Sequence, residues 1–274
     1  MPDVSPGCLP NLAGSHAWNT WCGVVPGGFG GECWQGRRCD DGRVITADDV
    51  DTLLFDVLGT VVDEAGSMRA ELAAALARAG AGRQAAALAT AWAQRFDALV
   101  SAIGQGAPWR STDDLNAEAL AGVLRDGPRL PAATVRYLAL AGHRLRPWPD
   151  AQAALGRLAR RFTVVALSNG NLSMLTDLFA SGGLTWHCVL SGEMVQAYKP
   201  DPVVYQFALD RLALDPGRTV MVAAHPWDLR AAADHGLRTA YIQRAGEGAP
   251  APSDTFDLSV PDLAALAARL LTGA

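Results

Sequence analysis

The chain has 274 residues, half of them hydrophobic, so it is long enough to bury one sizeable core. Its net charge of −5 is spread along the sequence without a block of like charges, which argues against binding to nucleic acid. No apolar run approaches the roughly 18 residues of a membrane helix, and the N-terminus lacks the pattern of a secretory signal. These features predict a cytoplasmic protein with no nucleic-acid or membrane partner.

The first fifty residues are rich in glycine, proline and tryptophan and show neither helical nor strand periodicity. Residues 1–50 are therefore predicted to form a poorly ordered N-terminal extension. This segment contains Cys8, Cys22, Cys33 and Cys39, but not the close cysteine pairs that a structural zinc site usually needs. Zinc binding or a disulfide in the segment stays open as an alternative.

Short apolar runs typical of strands recur from residue 50 onward. The predicted strands are Thr52–Val57, Phe162–Leu167, His187–Leu190, Thr219–Ala223 and Arg238–Ile242. They are apolar throughout rather than alternating, as strands are when helices cover both faces of a sheet. Helical patterns separate the later strands, and a last helix is predicted over Leu263–Leu271. This alternation predicts an α/β fold: a Rossmann-like, doubly wound parallel sheet with its site at the carboxyl ends of the strands.

The stretch between the first and second predicted strands is helical almost throughout. Apolar spacing and capping signals predict helices near Met68–Ala79, Leu88–Ile103, Ser111–Leu124 and Pro131–Leu145. We therefore predict a helical cap subdomain, residues 66–147, inserted after the first strand of a core domain formed by residues 51–65 and 148–274. A cap above the strand ends would enclose a cavity suited to a small substrate.

Polar side chains follow the predicted strands at the edge where parallel strands end. In chain order they are Asp56 and Thr60, Ser168 and Asn169, Lys199 and Tyr205, and His225, Trp227 and Asp228. Each group by itself has a structural explanation, such as a turn or a helix cap. Their occurrence at successive strand ends predicts a single catalytic site.

The residue types in these loops suit nucleophilic catalysis. A carboxylate such as Asp56 can attack an electrophilic centre and form a covalent intermediate. Lys199, the only lysine among 23 basic residues, would keep Asp56 ionised and screen the charge of an anionic substrate. Ser168 and Asn169 could bind a substrate oxygen, and Asp228 could orient Lys199 or assist a water molecule.

The segments FDVLGT, ALSNGN, YKPDPVVY and VAAHPWDLRAA resemble the motifs of the haloacid dehalogenase superfamily, and within it those of the 2-haloacid dehalogenase (type II) group. The resemblance covers residues 51 to 271. It implies that Asp56 is the nucleophile, with Thr60 as its loop partner, and that Lys199 and Asp228 complete the catalytic set. It also implies substrate-binding roles for the remaining loop residues, Ser168, Asn169, Tyr205 and Trp227.

Positions in the cap and in the first and fourth loops depart from the pattern of that group, namely Ala93, Leu58, Ala223 and His225. The group usually has an arginine after the cap tryptophan to receive the halide, whereas Ala93 follows Trp92 here. Arg95, about one helical turn from Trp92, is the expected replacement. His225 stands where the group usually has asparagine, and it would hydrogen-bond as asparagine does or help to activate water.

Leu58 bears on the choice between reactions. In phosphatases of the superfamily, an acid two residues after the nucleophile protonates the leaving oxygen, and its loss costs on the order of 10²–10⁴ in rate. A halide leaves without a proton, and leucine suits the alkyl part of a haloacid. We therefore expect hydrolysis of short 2-haloalkanoic acids to 2-hydroxy acids through an ester on Asp56, with no metal or other cofactor.

Two alternatives stay open. The first is a magnesium-dependent phosphatase in which Asp56 and Asp228 bind the metal. The second is a non-catalytic binding protein on the same fold. The expected partner is a small anionic substrate, and the sequence allows a homodimer.

Overall fold

A parallel β-sheet organises the part of the chain that the structure, a computed structural model, describes: residues 45–271. The strands are β1 (Thr52–Phe55), β2 (Val62–Asp63), β3 (Arg146–Pro147), β4 (Thr163–Ser168), β5 (Cys188–Ser191), β6 (Thr219–Ala223), β7 (Arg238–Ile242) and β8 (Leu258–Val260). Six of them form one parallel sheet in the order β5–β4–β1–β6–β7–β8, and β2 pairs antiparallel with β3. The predicted fold class is confirmed.

Helices cover both faces of this sheet, as the continuous apolar strands require. The helices are α1 (Glu64–Arg78), α2 (Ala85–Gly104), α3 (Thr112–Leu124), α4 (Ala132–Ala139), α5 (Ala151–Leu158), α6 (Leu172–Gly182), α7 (Pro202–Leu212), α8 (Pro226–Asp234) and α9 (Leu263–Leu271). Leu53 and Phe55 of β1 pack on the face that α5, α6 and α9 cover, whereas Leu54 packs toward α7 and α8. None of the described helices is long and apolar enough to cross a bilayer.

The five predicted strands are all present and lie within two residues of their predicted bounds. The differences from the prediction are short additional strands and the start of the described residues. β6 and β7 have the predicted bounds, and the other predicted strands shift by one or two residues. The strands β2, β3 and β8 were not predicted, because two or three residues are too few to show a periodicity. Residues 45–50, predicted as part of the extension, instead contribute Ile45, Ala47 and Val50 to the core. The predicted cysteine-rich segment lies outside the described residues.

The insertion between β2 and β3 is a helical lobe with a hydrophobic core of its own. Leu72 and Leu76 of α1, Trp92 of α2 and Leu120 of α3 are buried together there. The predicted fourth helix is shorter than expected: α4 ends at Ala139, and a 3₁₀ turn follows over Ala141–Arg144. In this turn Gly142 approaches α6 so closely that a Cβ atom would lie 2.7 Å from Met174 Sδ.

Two side chains from distant parts of the chain hydrogen-bond to the loop between β1 and β2 and hold it in place. Trp148 Nε1 donates to the carbonyl of Gly59 at 2.9 Å, and Arg244 Nε donates to the carbonyl of Thr60 at 3.0 Å. Arg244 is itself buried and paired with Asp150 at 3.0 Å. The loop is therefore anchored from the base of the helical lobe and from the end of β7.

Candidate active site

A tight turn after β1 brings Asp56 and Thr60 together. The backbone N–H of Asp56 still donates to Val222 of β6 at 3.0 Å, so Asp56 is held as a continuation of the sheet. The N–H groups of Val61 and Val62 then both donate to the carbonyl of Val57, and Gly59 adopts a φ of +78°, which favours glycine. The Thr60 hydroxyl donates to Asp56 Oδ2 at 2.7 Å and accepts from the N–H of Ala224 at 2.8 Å.

Lys199 lies between two buried carboxylates. Its Nζ donates to Asp56 Oδ1 at 2.8 Å and to Asp228 Oδ2 at 2.5 Å. The second oxygen of Asp228 accepts from the Tyr205 hydroxyl at 2.5 Å. All four residues are at most 4% exposed. Because buried charges need partners, this mutual pairing explains how the ions are tolerated in the interior.

The charges of these groups stabilise one another. Burial by itself would raise the pKa of Asp56, but the Lys199 ammonium and the His225 ring outweigh it and hold the pKa below its usual value. Burial likewise opposes the charge on Lys199, yet Asp228 and Asp56 raise its pKa. The pKa of Asp228 is raised, because burial and the nearby Asp56 charge exceed the effect of Lys199. Asp56 is thus an ionised carboxylate in a site with little solvent.

His225 also contacts Asp56 and connects it to a residue that the sequence analysis missed. Its Nδ1 lies 2.9 Å from Asp56 Oδ2, and its Nε2 lies 3.0 Å from Glu247 Oε2. Burial disfavours the charged ring, but the hydrogen bonds to Asp56 and Glu247 raise its pKa to about 10. His225 is therefore an imidazolium at neutral pH, which fits hydrogen-bond donation to Asp56 rather than activation of water as a base.

The second loop positions the third. Ser168 is fully buried, and its Oγ accepts from the N–H of Gly170 at 3.1 Å. The Asn169 side chain is engaged with the backbone of Lys199: Oδ1 accepts from its N–H at 2.7 Å and Nδ2 donates to its carbonyl at 3.3 Å. Asn169 thereby holds the loop that carries Lys199 in place. The sequence predicted a contact between Asn169 and substrate, but not this structural role.

The helical lobe touches these loops through the start of α3. Thr112 Oγ1 donates to the carbonyl of Asn169 at 2.9 Å, and the Tyr198 hydroxyl donates to the carbonyl of Arg110 at 3.0 Å. Trp109 stacks on Tyr198 with ring centroids 6.5 Å apart. The lobe is thus hydrogen-bonded to the second and third loops, at the edge of the sheet that carries Asp56.

The remaining predicted site residues occupy different surroundings. Leu58 is half-buried against the core, and Trp227, 38% exposed, stacks on the ring of His225 with centroids 5.4 Å apart. Trp92 is buried in the core of the helical lobe and donates from Nε1 to the carbonyl of Asn116 at 3.2 Å. Arg95 is exposed on α2 and lies against Gly122 of α3. None of the hydrogen bonds, ion pairs or ring contacts in the described part of the chain joins Trp92 or Arg95 to Asp56, Lys199, His225 or Asp228.

Two carboxyl groups near the site were not identified from the sequence. Glu247 follows β7, and Glu64 begins α1. Burial and the charge of Glu247 raise the pKa of Glu64 to about 7. A glutamate flanked by glycines just beyond a parallel strand is a signal that could have indicated Glu247. Glu64 offers no such signal, because an acidic residue in the first turn of a helix is ordinary.

The fold and this site place a buried, ionised aspartate directly after the first strand of a parallel sheet. The family model of haloacid dehalogenase-like hydrolases matches residues 50–236. The chain belongs to this family, which confirms the assignment drawn from its motifs.

More specific similarity is to 2-haloacid dehalogenases. The (S)-2-haloacid dehalogenase 1 of Pseudomonas sp. (strain CBS-3) is 42% identical over 106 residues, which are 37% of this chain and 46% of that enzyme. The chain thus spans about half the length of the curated relatives it matches.

Solved structures match over more of the chain. The crystal structure of the defluorinating L-2-haloacid dehalogenase Rha0230 is 34% identical, with a TM-score of 0.75, and the match covers 81% of this chain and 95% of that one. The L-2-haloacid dehalogenase of Xanthobacter autotrophicus with chloropropionic acid covalently bound is 25% identical, with a TM-score of 0.66, over 80% of this chain and 97% of that one.

Proposed function

We propose that the protein hydrolyses short 2-haloalkanoic acids to 2-hydroxy acids through an ester intermediate on Asp56. The observation that carries the proposal is the combination of a buried Asp56 carboxylate, held ionised by Lys199, with a hydrocarbon at position 58. The similarity to L-2-haloacid dehalogenases, one of which holds chloropropionic acid covalently, supports it. Its substrate partner is a small organic anion.

The hydrogen bonds of Asp56 suggest which oxygen attacks. Oδ2 accepts from both Thr60 and His225, so both of its in-plane lone pairs are engaged. Oδ1 accepts only from Lys199 among the described residues, so one lone pair is available. In the first step Oδ1 forms a bond to C2 of the substrate, the carbon–halogen bond breaks, and the halide leaves with the bonding electrons. Attack from the side opposite the halide inverts the configuration at C2.

Water completes the reaction. It attacks Cγ of Asp56, and a neighbouring carboxylate, for which we propose Asp228, accepts one proton. Negative charge then develops on Oδ2, where Thr60 and His225 already donate hydrogen bonds. Cleavage of the Cγ–Oδ1 bond releases the 2-hydroxy acid, whose oxygen takes up the proton from Asp228. The second proton of the water then leaves the new Asp56 carboxyl for solvent, which restores the carboxylate.

Lys199 has a further part in substrate binding. An ammonium group carries three N–H donors, of which two face Asp56 and Asp228. The third is available to the substrate carboxylate, together with the N–H groups of the Ser168–Asn169 loop. These cationic and dipolar groups would offset the repulsion between two carboxylates, that of the substrate and that of Asp56.

The phosphatase alternative fits the site less well. The carboxylates that would hold magnesium, Asp56 and Asp228, both face Lys199 Nζ, which already supplies a cation between them. Leu58 cannot protonate a leaving alkoxide. We therefore propose a reaction that needs neither a metal nor another cofactor.

A halide-release panel tests the proposal. Purified protein is incubated with both enantiomers of 2-chloropropionate and with chloro-, bromo- and fluoroacetate, with and without EDTA. We expect halide release that EDTA leaves unchanged, with a preference for the (S) enantiomer. Hydrolysis of phosphate esters with magnesium, in the absence of halide release, would overturn the proposal.

A single turnover in H₂¹⁸O identifies the nucleophile. Because water attacks the ester carbonyl, the label should enter Asp56 before it appears in the product, and peptide mass spectrometry would detect it there. Asp56→Asn should abolish this turnover, with Asp51→Asn, on the exposed surface, as the matched control. Label in the product of the first turnover would instead indicate direct attack by water. The predicted homodimer stays a prediction, which sedimentation equilibrium would test.

A further inference from the structure

Asp56, His225 and Glu247 form a continuous line of carboxylate, imidazole and carboxylate. The first contact joins Asp56 Oδ2 to His225 Nδ1 at 2.9 Å, and the second joins His225 Nε2 to Glu247 Oε2 at 3.0 Å. Both ring nitrogens face carboxylate oxygens, which only accept hydrogen bonds. When both carboxyls are ionised, a neutral ring would leave one nitrogen lone pair against an oxygen, so the arrangement is then satisfied only when both ring nitrogens are protonated.

The loop after β1 leaves room for the His225 and Glu247 side chains because residue 59 is a glycine. A Cβ atom on Gly59 would lie 2.8 Å from Glu247 Oε1 and 2.9 Å from His225 Cε1. Glycine at position 59 thus serves two purposes, the positive φ of the turn and the space for these side chains. Trp227 stacks on the imidazole, and Gly246, with a φ of +92°, turns the chain just before Glu247.

The charges around Asp56 suggest what the line does. Asp56, Asp228 and Lys199 together carry one negative charge when the two carboxyls are ionised, and an anionic substrate adds another. A cationic His225 offsets this repulsion and donates to Asp56 Oδ2, the oxygen that becomes negatively charged when water attacks the ester. Glu247 faces His225 from the side opposite Asp56.

We infer that Glu247 is a positioning residue that keeps His225 as an imidazolium aimed at Asp56 Oδ2, and that it thereby promotes breakdown of the covalent ester. This inference rests on the proposed function. Glu247 hydrogen-bonds to His225 on the side away from Asp56, so it acts through the histidine. The step itself is unchanged: water adds to Cγ, the electron pair moves to Oδ2, and the Cγ–Oδ1 bond then breaks.

The groups that face His225 set the expected pH response. Asp56 and Glu247 contact the ring, Glu64 of α1 adds a third carboxyl nearby, and Lys199 and Asp228 lie behind Asp56. In the wild type the pKa of His225, raised to about 10, keeps the ring charged through neutral pH. The contribution of the imidazolium is present below that pH and is lost as pH rises through it.

Glu247→Gln removes the carboxylate charge while keeping an oxygen near Nε2. Loss of an opposite charge at this distance should lower the His225 pKa by about one unit or more. The alkaline limb of kcat should move to lower pH by the same amount. Ester breakdown should slow about ten-fold, less than the 10²–10³ lost with an oxyanion donor itself, because the donor stays. Halide release in the first turnover should change little, so the Asp56 adduct should accumulate.

Three measurements follow these effects. NMR of protein with ¹³C-labelled histidine gives the His225 pKa, with the signal assigned by its absence in His225→Asn. Single-turnover halide release and intact-mass spectrometry give the formation and breakdown of the adduct. Glu247→Asp, which keeps the charge, should recover much of the wild-type pH profile. Asp210→Asn, which removes an exposed charge on α7, is the matched control and should leave all three readouts unchanged.

The outcomes separate the two proposals. If the wild type releases halide but Glu247→Gln leaves the His225 pKa, the pH profile and adduct breakdown as they were, the positioning role of Glu247 is wrong. A fall in the rate without a change in the His225 pKa would also overturn it, since a structural role would account for that result. A wild type that releases no halide overturns the proposed function and this inference with it.

Discussion

Replacing Lys199 with methionine removes a buried cation and keeps most of the side-chain length. The lysine Nζ lies 2.8 Å from Asp56 and 2.5 Å from Asp228, and the lysine side chain is 0% exposed. Without it, Asp228 would lose its cationic partner, and Asp56 would keep only the His225 ring at 2.9 Å. Breaking a buried ion pair by removing one partner typically lowers the free energy of unfolding by about 3–5 kcal/mol, and we expect a loss of this size at pH 8.

The pH dependence of that loss is the sharper test. In the wild type, the lowered pKa of Asp56 contributes stability that is present above the unfolded value and is lost as pH falls through the folded value. Without Lys199, only the His225 ring would oppose the effect of burial on Asp56, so the pKa of Asp56 would rise relative to the wild type, and that of Asp228 would rise further. A carboxyl with a raised folded pKa binds a proton on folding, so the deficit relative to the wild type should shrink as pH falls from 8 to 5.

Urea unfolding followed by circular dichroism, at pH 5 and at pH 8, measures both effects. Arg110→Gln is the control, because Arg110 pairs with Glu118 on the surface, with side chains 40% and 51% exposed, and it should change stability little at either pH. An equal loss for the methionine variant at the two pH values would refute the reasoning. So would the absence of any loss, since it would mean that Lys199 is not needed to balance the buried carboxylates.

Three further substitutions test neighbouring parts of the site. Tyr205→Phe leaves Asp228 Oδ1 without its hydroxyl donor and should lower the free energy of unfolding by about 1–3 kcal/mol. If the variant is as stable in urea as the wild type, the buried contact does not contribute to stability. Gly59→Ala places a side chain at a residue with positive φ and against Glu247, so thermal unfolding should begin at a lower temperature and halide release should slow. The control is Gly156→Ala in α5, where the space around the glycine is open, and it should have neither effect. Thr112→Val removes the hydroxyl that joins α3 to the Asn169 carbonyl and should raise KM more than it lowers kcat; an unchanged KM would show that this contact does not hold the helical lobe in place.

Local patterns were enough to predict five of the six strands in the described parallel sheet and the polar residues that gather at its edge. Continuous apolar runs predicted the strands that bury both faces, and parallel strands necessarily present their carboxyl ends at one edge. That rule placed Asp56, Lys199 and Asp228 near one another before any distance was known. The bounds of β6 and β7 are those predicted from the sequence.

Side-chain direction in the helical lobe could not be predicted in the same way. Trp92 and Arg95 were expected at the site from their position in a motif, yet α2 turns Trp92 into the core of the lobe and leaves Arg95 exposed beside Gly122. Which face of a helix meets which partner depends on the packing of α1, α2 and α3 together. The sequence of one helix does not contain that information.

The sequence by itself determined which residue types the proposed chemistry uses: an aspartate after the first strand, a single lysine to hold its charge, and a leucine two positions after the aspartate. These are residue types at particular positions, and they can be read from the sequence without a structure. Only the tertiary structure decided the connections between them, such as Asn169 clamping the backbone of Lys199 and Glu247 reaching His225 over Gly59. The reason is that hydrogen bonds between loops far apart in the chain depend on how the strands are ordered in the sheet and how closely the loops approach, which no local pattern encodes.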